Sequence, residues 1–270
     1  MLISLYLNSS FMILPYKGID IFFTDRGKGK AVVFLHGFLE TSRIWEPFIS
    51  EISKRNRVVC VDLLGHGQTG CLGNIHTMEL MADAVEAVLE HLTISKSICI
   101  GHSMGGYVAL AYAEKYPYKV MGLCLLNSTS RADSEARRQN RERAILAVKQ
   151  NHKMFIRLAI ANLFRPKNRR FFSKEIELLK NEALKMSLQG VLAALEGMKI
   201  RTDRGFVLDT PNCEKVMMVG KKDPILSFED LVDEVGHKDV GFVEFPDGHM
   251  SHIENKDRFA RNIMHFIEKI

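Results

Sequence analysis

The sequence predicts an α/β fold: a mostly parallel sheet flanked by helices, with a helical cap inserted late in the chain. Three observations carry that reading. Short apolar, β-branched runs alternate with helix-like stretches along most of the chain. A Gly-x-Ser-x-Gly pattern stands between one such run and one such helix. A long segment in the second half contains no strand-like run. At 270 residues, the chain is long enough for one large domain carrying an insertion.

Strands are expected over residues 19–24, 31–35, 57–62, 97–100, 120–126, 215–219 and 240–245. Each is an apolar or β-branched run bounded by glycines and polar residues. A helix covers 45–52 behind a cap at Thr41 or Ser42. The next, 78–91, carries Met81, Val85, Val88 and Leu89 close to helical spacing, which gives it one apolar face. A third follows the serine turn through Tyr107-Val108-Ala109-Leu110-Ala111-Tyr112-Ala113. The last runs over 256–270 with Phe259, Ile263 and Phe266 on one side. Such alternation puts parallel strands in one sheet and helices on both faces. The core is expected to comprise 12–127 and 201–270, and the cap 128–200.

Residues 128–200 read as helix throughout. They hold sixteen Lys and Arg against seven Asp and Glu, a net of +9 in a chain whose total is +5, so the remainder is acidic. Arg137, Arg138, Arg141 and Arg143 are candidate contacts for an acidic partner, such as an acyl carrier protein or a carboxylate-bearing substrate. The basic run 165–170 reads as a solvated face. Neither a nucleic acid nor a membrane partner is expected, and no apolar run reaches the ~18 residues of a membrane span. Residues 1–11 read as an N-terminal extension. They are apolar, lack a basic n-region and break at Asn8-Ser9-Ser10, unlike a secretory signal. Met12 is an alternative start. The five cysteines, at 60, 71, 99, 124 and 213, are odd in number and irregular in spacing. That speaks against a disulfide framework or a zinc cluster. Cys60, Cys99 and Cys124 lie in apolar runs, where a free cysteine behaves as a small hydrophobe. A reduced, cytoplasmic compartment is expected.

Gly101-His102-Ser103-Met104-Gly105 supplies the candidate nucleophile. A sharp strand-to-helix turn exposes a serine hydroxyl, and side chains at the flanking glycines would crowd it. A serine at neutral pH needs a base, and the base needs an orienting group. Of ten histidines, His249 is the candidate base, since Phe245-Pro246-Asp247-Gly248-His249 directly follows the last expected strand. His252 is its near competitor. His102 adjoins the serine, but neighbours at a sharp turn point apart. His36 and His66 lie in glycine-rich loops and read as structural. Asp223, in Gly220-Lys221-Lys222-Asp223-Pro224, is the candidate acid. Asn127 occupies another suitable place but is neutral, and Asp247 is too close in sequence to reach behind the ring. The N–H groups of Phe38 and Met104 are the expected oxyanion donors. Trp45, Phe155, Phe164, Phe171, Phe172 and Met186 are candidate pocket residues, with simple packing as the alternative.

With Ser103, Asp223 and His249 in that order, the chain resembles the α/β-hydrolase superfamily over nearly its whole length. His36-Gly37-Phe38 resembles that family's oxyanion loop, Asp62-Leu63-Leu64-Gly65-His66-Gly67 its turn after the next strand, and Gly101–Gly106 its nucleophile elbow. The loops holding Asp223 and His249 resemble its acid and base loops. The resemblance implies an eight-stranded, mostly parallel sheet with a helical cap after the sixth strand. It implies a serine hydrolase that cleaves a small-molecule carboxylic ester through an acyl-enzyme. Carbon–carbon bond hydrolysis of the meta-cleavage type and a non-catalytic ligand-binding role stand as alternatives. Dehalogenases and epoxide hydrolases of the same fold carry aspartate at the elbow, and Ser103 speaks against both. Gly65-His66-Gly67-Gln68-Thr69-Gly70 also spells a dinucleotide fingerprint, but loop residues follow where a helix should open. No cofactor and no metal are expected.

Overall fold

The structure is a computed structural model and describes residues 10–270. Its strands are β1 (Ser10–Tyr16), β2 (Ile19–Arg26), β3 (Lys30–Leu35), β4 (Asn56–Val61), β5 (Ser97–His102), β6 (Val120–Leu126), β7 (Glu214–Gly220) and β8 (Gly241–Phe245). They form one sheet in the order β1-β2-β4-β3-β5-β6-β7-β8. β2 pairs antiparallel with both β1 and β4, and every pairing from β4 onward is parallel.

Strand residues alternate between two apolar layers. Val33, Leu35, Val59 and Val61 face one; Val32, Phe34, Val58 and Cys60 face the other. A sheet buried on both faces needs such unbroken apolar runs. The first layer is covered by α2 (Met78–His91), α3 (Met104–Lys115) and the insertion. The second is covered by α1 (Glu46–Ile52) and α10 (Lys256–Lys269). Thr77 starts α2 by accepting the Leu80 N–H at 3.1 Å, the expected chemistry of a helix cap.

Between β6 and β7 the chain is helical: α4 (Glu135–Leu163), α5 (Ser173–Ala183), α6 (Leu188–Lys199) and the short α7 (Gly205–Asp209). α4 bends at Asn151, whose backbone leaves the helical region (φ −154°, ψ 85°). The Asn151 side chain accepts the Met154 N–H at 3.0 Å and so caps the second half. After β7 come α8 (Phe228–Val235), β8, α9 (Ser251–Glu254) and α10.

The N-terminal boundary differs from the sequence expectation. Ser10 and Phe11 belong to β1, which pairs residue for residue with β2, from Ser10 opposite Asp25 to Tyr16 opposite Ile19. Its apolar residues fall on both faces, with Phe11 and Ile13 exposed and Met12, Leu14 and Tyr16 packed on the core. That pattern hides the alternation, and Pro15 further obscures a strand tolerable only at an edge. The expectation for residues 1–9 lies outside the described residues. No helix among the described residues is long and apolar enough to cross a membrane.

The β5–α3 junction is a close backbone contact. A Cβ on Gly101 would fall on the Gly105 carbonyl, and a Cβ on Gly105 would fall on the Leu35 carbonyl of β3. The first turn of α3 is therefore pressed against two strands with no room for a methyl group. Gly105→Ala is expected to destabilise the fold by about 2–4 kcal/mol through overpacking against backbone that cannot yield. Urea unfolding of the variant beside wild type measures this.

Candidate active site

Parallel strands deliver their following loops to one edge of the sheet, where open α/β folds bind ligands. Here β3, β5, β6, β7 and β8 deliver, in turn, His36 to Glu40, Ser103, Asn127, Asp223 and His249. Ser103 sits at φ 50°, ψ −113°, a left-handed conformation that costs a non-glycine residue about 1–3 kcal/mol. Its backbone is held from both sides. Its N–H donates to the Leu126 carbonyl at 2.9 Å, and its carbonyl accepts the Ser128 hydroxyl at 2.8 Å.

His249 and Asp223 form a fully buried pair, with His249 Nδ1 2.7 Å from Asp223 Oδ2. Asp223 is saturated with donors. Its Oδ1 accepts the Ile225 and Leu226 N–H groups at 2.7 and 3.0 Å, and its Oδ2 also accepts the Asn127 side-chain amide at 3.0 Å. Burial alone would raise the carboxyl. The imidazole beside it and these hydrogen bonds outweigh burial and hold it below its ordinary value. Nδ1 therefore carries a proton toward Asp223, and Nε2 is left for the cavity side. Asn127, weighed above as a possible acid, instead donates its side-chain amide to Asp223. Asp247 points elsewhere, 2.9 Å from Arg165 Nη1. No hydrogen bond joins the Ser103 hydroxyl to the His249 ring, although both groups line one cavity.

The loop after β3 turns at Gly37-Phe38-Leu39-Glu40, with the Glu40 N–H donating to the Gly37 carbonyl at 3.2 Å and Leu39 at φ 63°. Among the described residues, neither the Phe38 nor the Met104 N–H has a protein acceptor. The loop is pinned by a group the sequence reading missed. Glu40 Oε2 accepts the Gly37 N–H at 2.6 Å and the His102 Nδ1–H at 2.9 Å. His102 Nε2 lies 3.0 Å from the His249 carbonyl. Both His102 nitrogens face acceptors, so both carry protons and the ring is an imidazolium. Burial lowers a histidine, but the Glu40 carboxylate outweighs it and raises His102. Burial likewise raises Glu40, and His102 outweighs it and holds the carboxyl down to about 2. A lone carboxylate three residues past a glycine, in an otherwise apolar loop, was the available signal.

The cavity holds about 490 Å³ and is lined by Phe38, Ser103, Tyr107, Phe155 and His249 among others. Of the six expected pocket residues, Phe155 lines this cavity and the other five lie elsewhere. Trp45 is fully buried on the opposite face of the sheet, against Phe34 and Phe259. Phe164 is fully buried in the core beside Phe172. Phe171 is exposed and Met186 buried. His252, the competing base, is buried between Trp45 and His102, and burial pushes it down to about 3. It faces a second cavity behind the oxyanion loop, lined also by Ile44, Phe172 and Leu179. α4 divides the four arginines: Arg137 and Arg141 line the active cavity, while Arg138 and Arg143 face solvent. His36 and His66 are structural, His36 accepting the Leu63 N–H at 2.9 Å. Among the described residues, no group of three His, Cys, Asp or Glu side chains is placed to hold a metal ion.

A model of the alpha/beta hydrolase fold family matches residues 30–256. An esterase from Thermogutta terrifontis is 31% identical, superposes with a TM-score of 0.88, and is matched over 97% of its chain and 96% of this one. An enol-lactonase from Burkholderia xenovorans LB400 superposes with a TM-score of 0.87, covering 95% of this chain and 100% of its own, at 18% identity, a likeness of fold alone. An (E)-2-((N-methylformamido)methylene)succinate hydrolase from Acinetobacter baylyi is 28% identical over 62% of this chain and 60% of its own. The chain spans less than half the length of the first curated relatives it matches.

The Glu40–His102 pair has a defined pH signature. Glu40 titrates below its ordinary value of 4.5, so its contribution is full above 4.5 and is lost as pH falls toward about 2. His102 titrates above its ordinary 6.5, so its contribution is full below 6.5 and is lost as pH rises through the raised value. Glu40→Gln is expected to cost about 3 kcal/mol between those two ordinary values, and less on either side. Urea unfolding of both proteins from pH 3 to 9 checks the shape of that difference.

Proposed function

The chain belongs to the α/β-hydrolase fold family, and from that premise we propose that it hydrolyses carboxylic esters through an acyl-enzyme on Ser103. The observation that carries this reading is the buried His249–Asp223 pair, 2.7 Å across, facing the same cavity as a serine held in a strained turn.

The chemistry has two steps. The Ser103 hydroxyl attacks the ester carbonyl as its proton passes to His249 Nε2. Asp223 keeps the other ring proton and stabilises the imidazolium that forms. The carbonyl oxygen, now negative, accepts the Phe38 and Met104 N–H groups. The Met104 N–H opens α3, so the helix dipole favours the developing charge. Each such donor is worth about 3 kcal/mol in the transition state. His249 then protonates the departing alkoxide. Water attacks the acyl group, gives its proton to the same ring, and releases the acid while Ser103 recovers its own. The serine–histidine hydrogen bond forms when substrate settles, since such contacts are often loose without it.

Ser103→Ala is expected to lower kcat on short p-nitrophenyl esters by about 10⁴-fold or more, with its unfolding midpoint kept. Asp223→Asn should cost about 10³- to 10⁴-fold by presenting the wrong tautomer. Full turnover in Ser103→Ala rejects the mechanism. Turnover of a vinylogous diketone with none of any ester redirects it to carbon–carbon cleavage. No turnover of either class redirects it to ligand binding.

A further inference from the structure

We propose that the substrate ester carries a free carboxylate and that the Arg141 guanidinium binds it. The inference rests on the hydrolase reading above and names the substrate class of that site.

Arg141 reaches the cavity from α4, one turn beyond Arg137 and beside Asn140 and Ala144, the spacing that puts residues on one helix face. Its Nε donates to Asp133 Oδ2 at 3.1 Å. Among the described residues, neither of its Nη atoms has an acceptor. The side chain is half-buried and lines the cavity. A guanidinium anchored through Nε presents its two terminal nitrogens as a planar fork, the shape that matches a carboxylate.

The anchor is itself rigid. Asp133 is fully buried, and Arg201 Nη1 lies 2.6 Å from its other oxygen. Arg201 is buried too. It donates to the Met198 and Arg131 carbonyls at 3.1 and 3.0 Å, and its guanidinium stacks 4.0 Å from the Tyr107 ring centroid. Tyr107 also lines the cavity, one helical turn after Ser103. A chain of packed groups thus fixes Arg141 relative to the nucleophile.

The charges around the cavity do not balance. Asp223 is taken by His249, Glu40 by His102, and Asp133 is shared by Arg141 and Arg201. Arg137 donates only to a neutral acceptor, the Ile225 carbonyl at 3.1 Å. With His249 neutral and Glu40 cancelled by His102, two carboxylates, Asp223 and Asp133, face three guanidiniums, Arg137, Arg141 and Arg201, so one positive charge is left over. An anionic substrate supplies what is missing. A compact cavity of this volume is on the order of 10 Å across, so ester and carboxylate fit together when a few bonds separate them.

The test compares p-nitrophenyl hemiesters of succinate, glutarate and adipate with the matching methyl p-nitrophenyl diesters. Wild type should favour the charged member at the best length. Arg141→Met should lower the charged-to-neutral ratio of kcat/KM by about 10- to 100-fold, the worth of one charge-assisted bidentate contact. Arg141→Lys keeps a cation against Asp133 and should fall between. Arg138→Met should leave the ratio in place. A preference for the neutral diesters at every length overturns the proposal, as does a ratio unmoved by Arg141→Met. A loss on Arg138→Met instead would make the outer face of α4 the docking surface for an acidic partner and also overturn it. If no ester of either charge reacts, the hydrolase reading fails, and glutarate binding by calorimetry decides the anion site alone. Binding to wild type that weakens tenfold or more in Arg141→Met supports the site. No binding to wild type, or equal binding to both, overturns it.

Discussion

The first turn of α3 can lie against β3 and β5 only because residues 101 and 105 carry no side chain. That close approach is the constraint on which the site depends. It leaves the chain between strand and helix a single residue in which to reverse, and Ser103 takes the left-handed conformation that results. The strain is local and amounts to about 1–3 kcal/mol. It is offset by a helix buried almost from end to end, Met104 through Ala113. The exposed hydroxyl and the free N–H at the helix start are both products of the same packing.

Two buried carboxylate–histidine pairs then lock the loops around that turn. Asp223 holds the side chain of His249, and the Glu40–His102 pair holds its backbone carbonyl. The His249 N–H donates to Leu163 O at the end of α4, 3.2 Å away. His249 is thus fixed from the loop holding Asp223, from the turn at Ser103 and from the insertion. Glu40 extends the network to Gly37, so the loop after β3, which carries strain of its own at Leu39, is tied to His249 through the His102 ring. Burying such pairs is costly in desolvation, and removing one partner leaves an uncompensated charge. The stability of this region and the geometry of the site are therefore set by the same contacts.

Elements with strong periodicity were legible in the sequence. The seven strands expected from residue 19 onward all appear, with ends differing by a few residues, because each is an apolar run between clear breakers. The placement of Ser103, Asp223 and His249 along one edge of the sheet was legible because each follows a strand, a position that order along the chain reveals. β1 was not, since its apolar residues lie on both faces and include a proline. Trp45 and Phe164 were misassigned because an aromatic residue in a sequence looks alike whether it packs a core or lines a pocket. The Glu40–His102 contact spans 62 residues, and no local pattern marks a pairing of that range. The four arginines of α4 read as one patch in the sequence, and only the helix phase divides them into an inner and an outer pair.

The central claim is that His249, held by Asp223, makes Ser103 an activated nucleophile. Its most direct measurement is the intact mass of wild type and His249→Gln after equal exposure to a fluorophosphonate probe, with the adduct located by peptide mapping. Rapid single labelling at Ser103 in wild type, lost in His249→Gln, is the predicted result. An unlabelled wild type, or labelling of Ser103 at the same rate in both proteins, would contradict it.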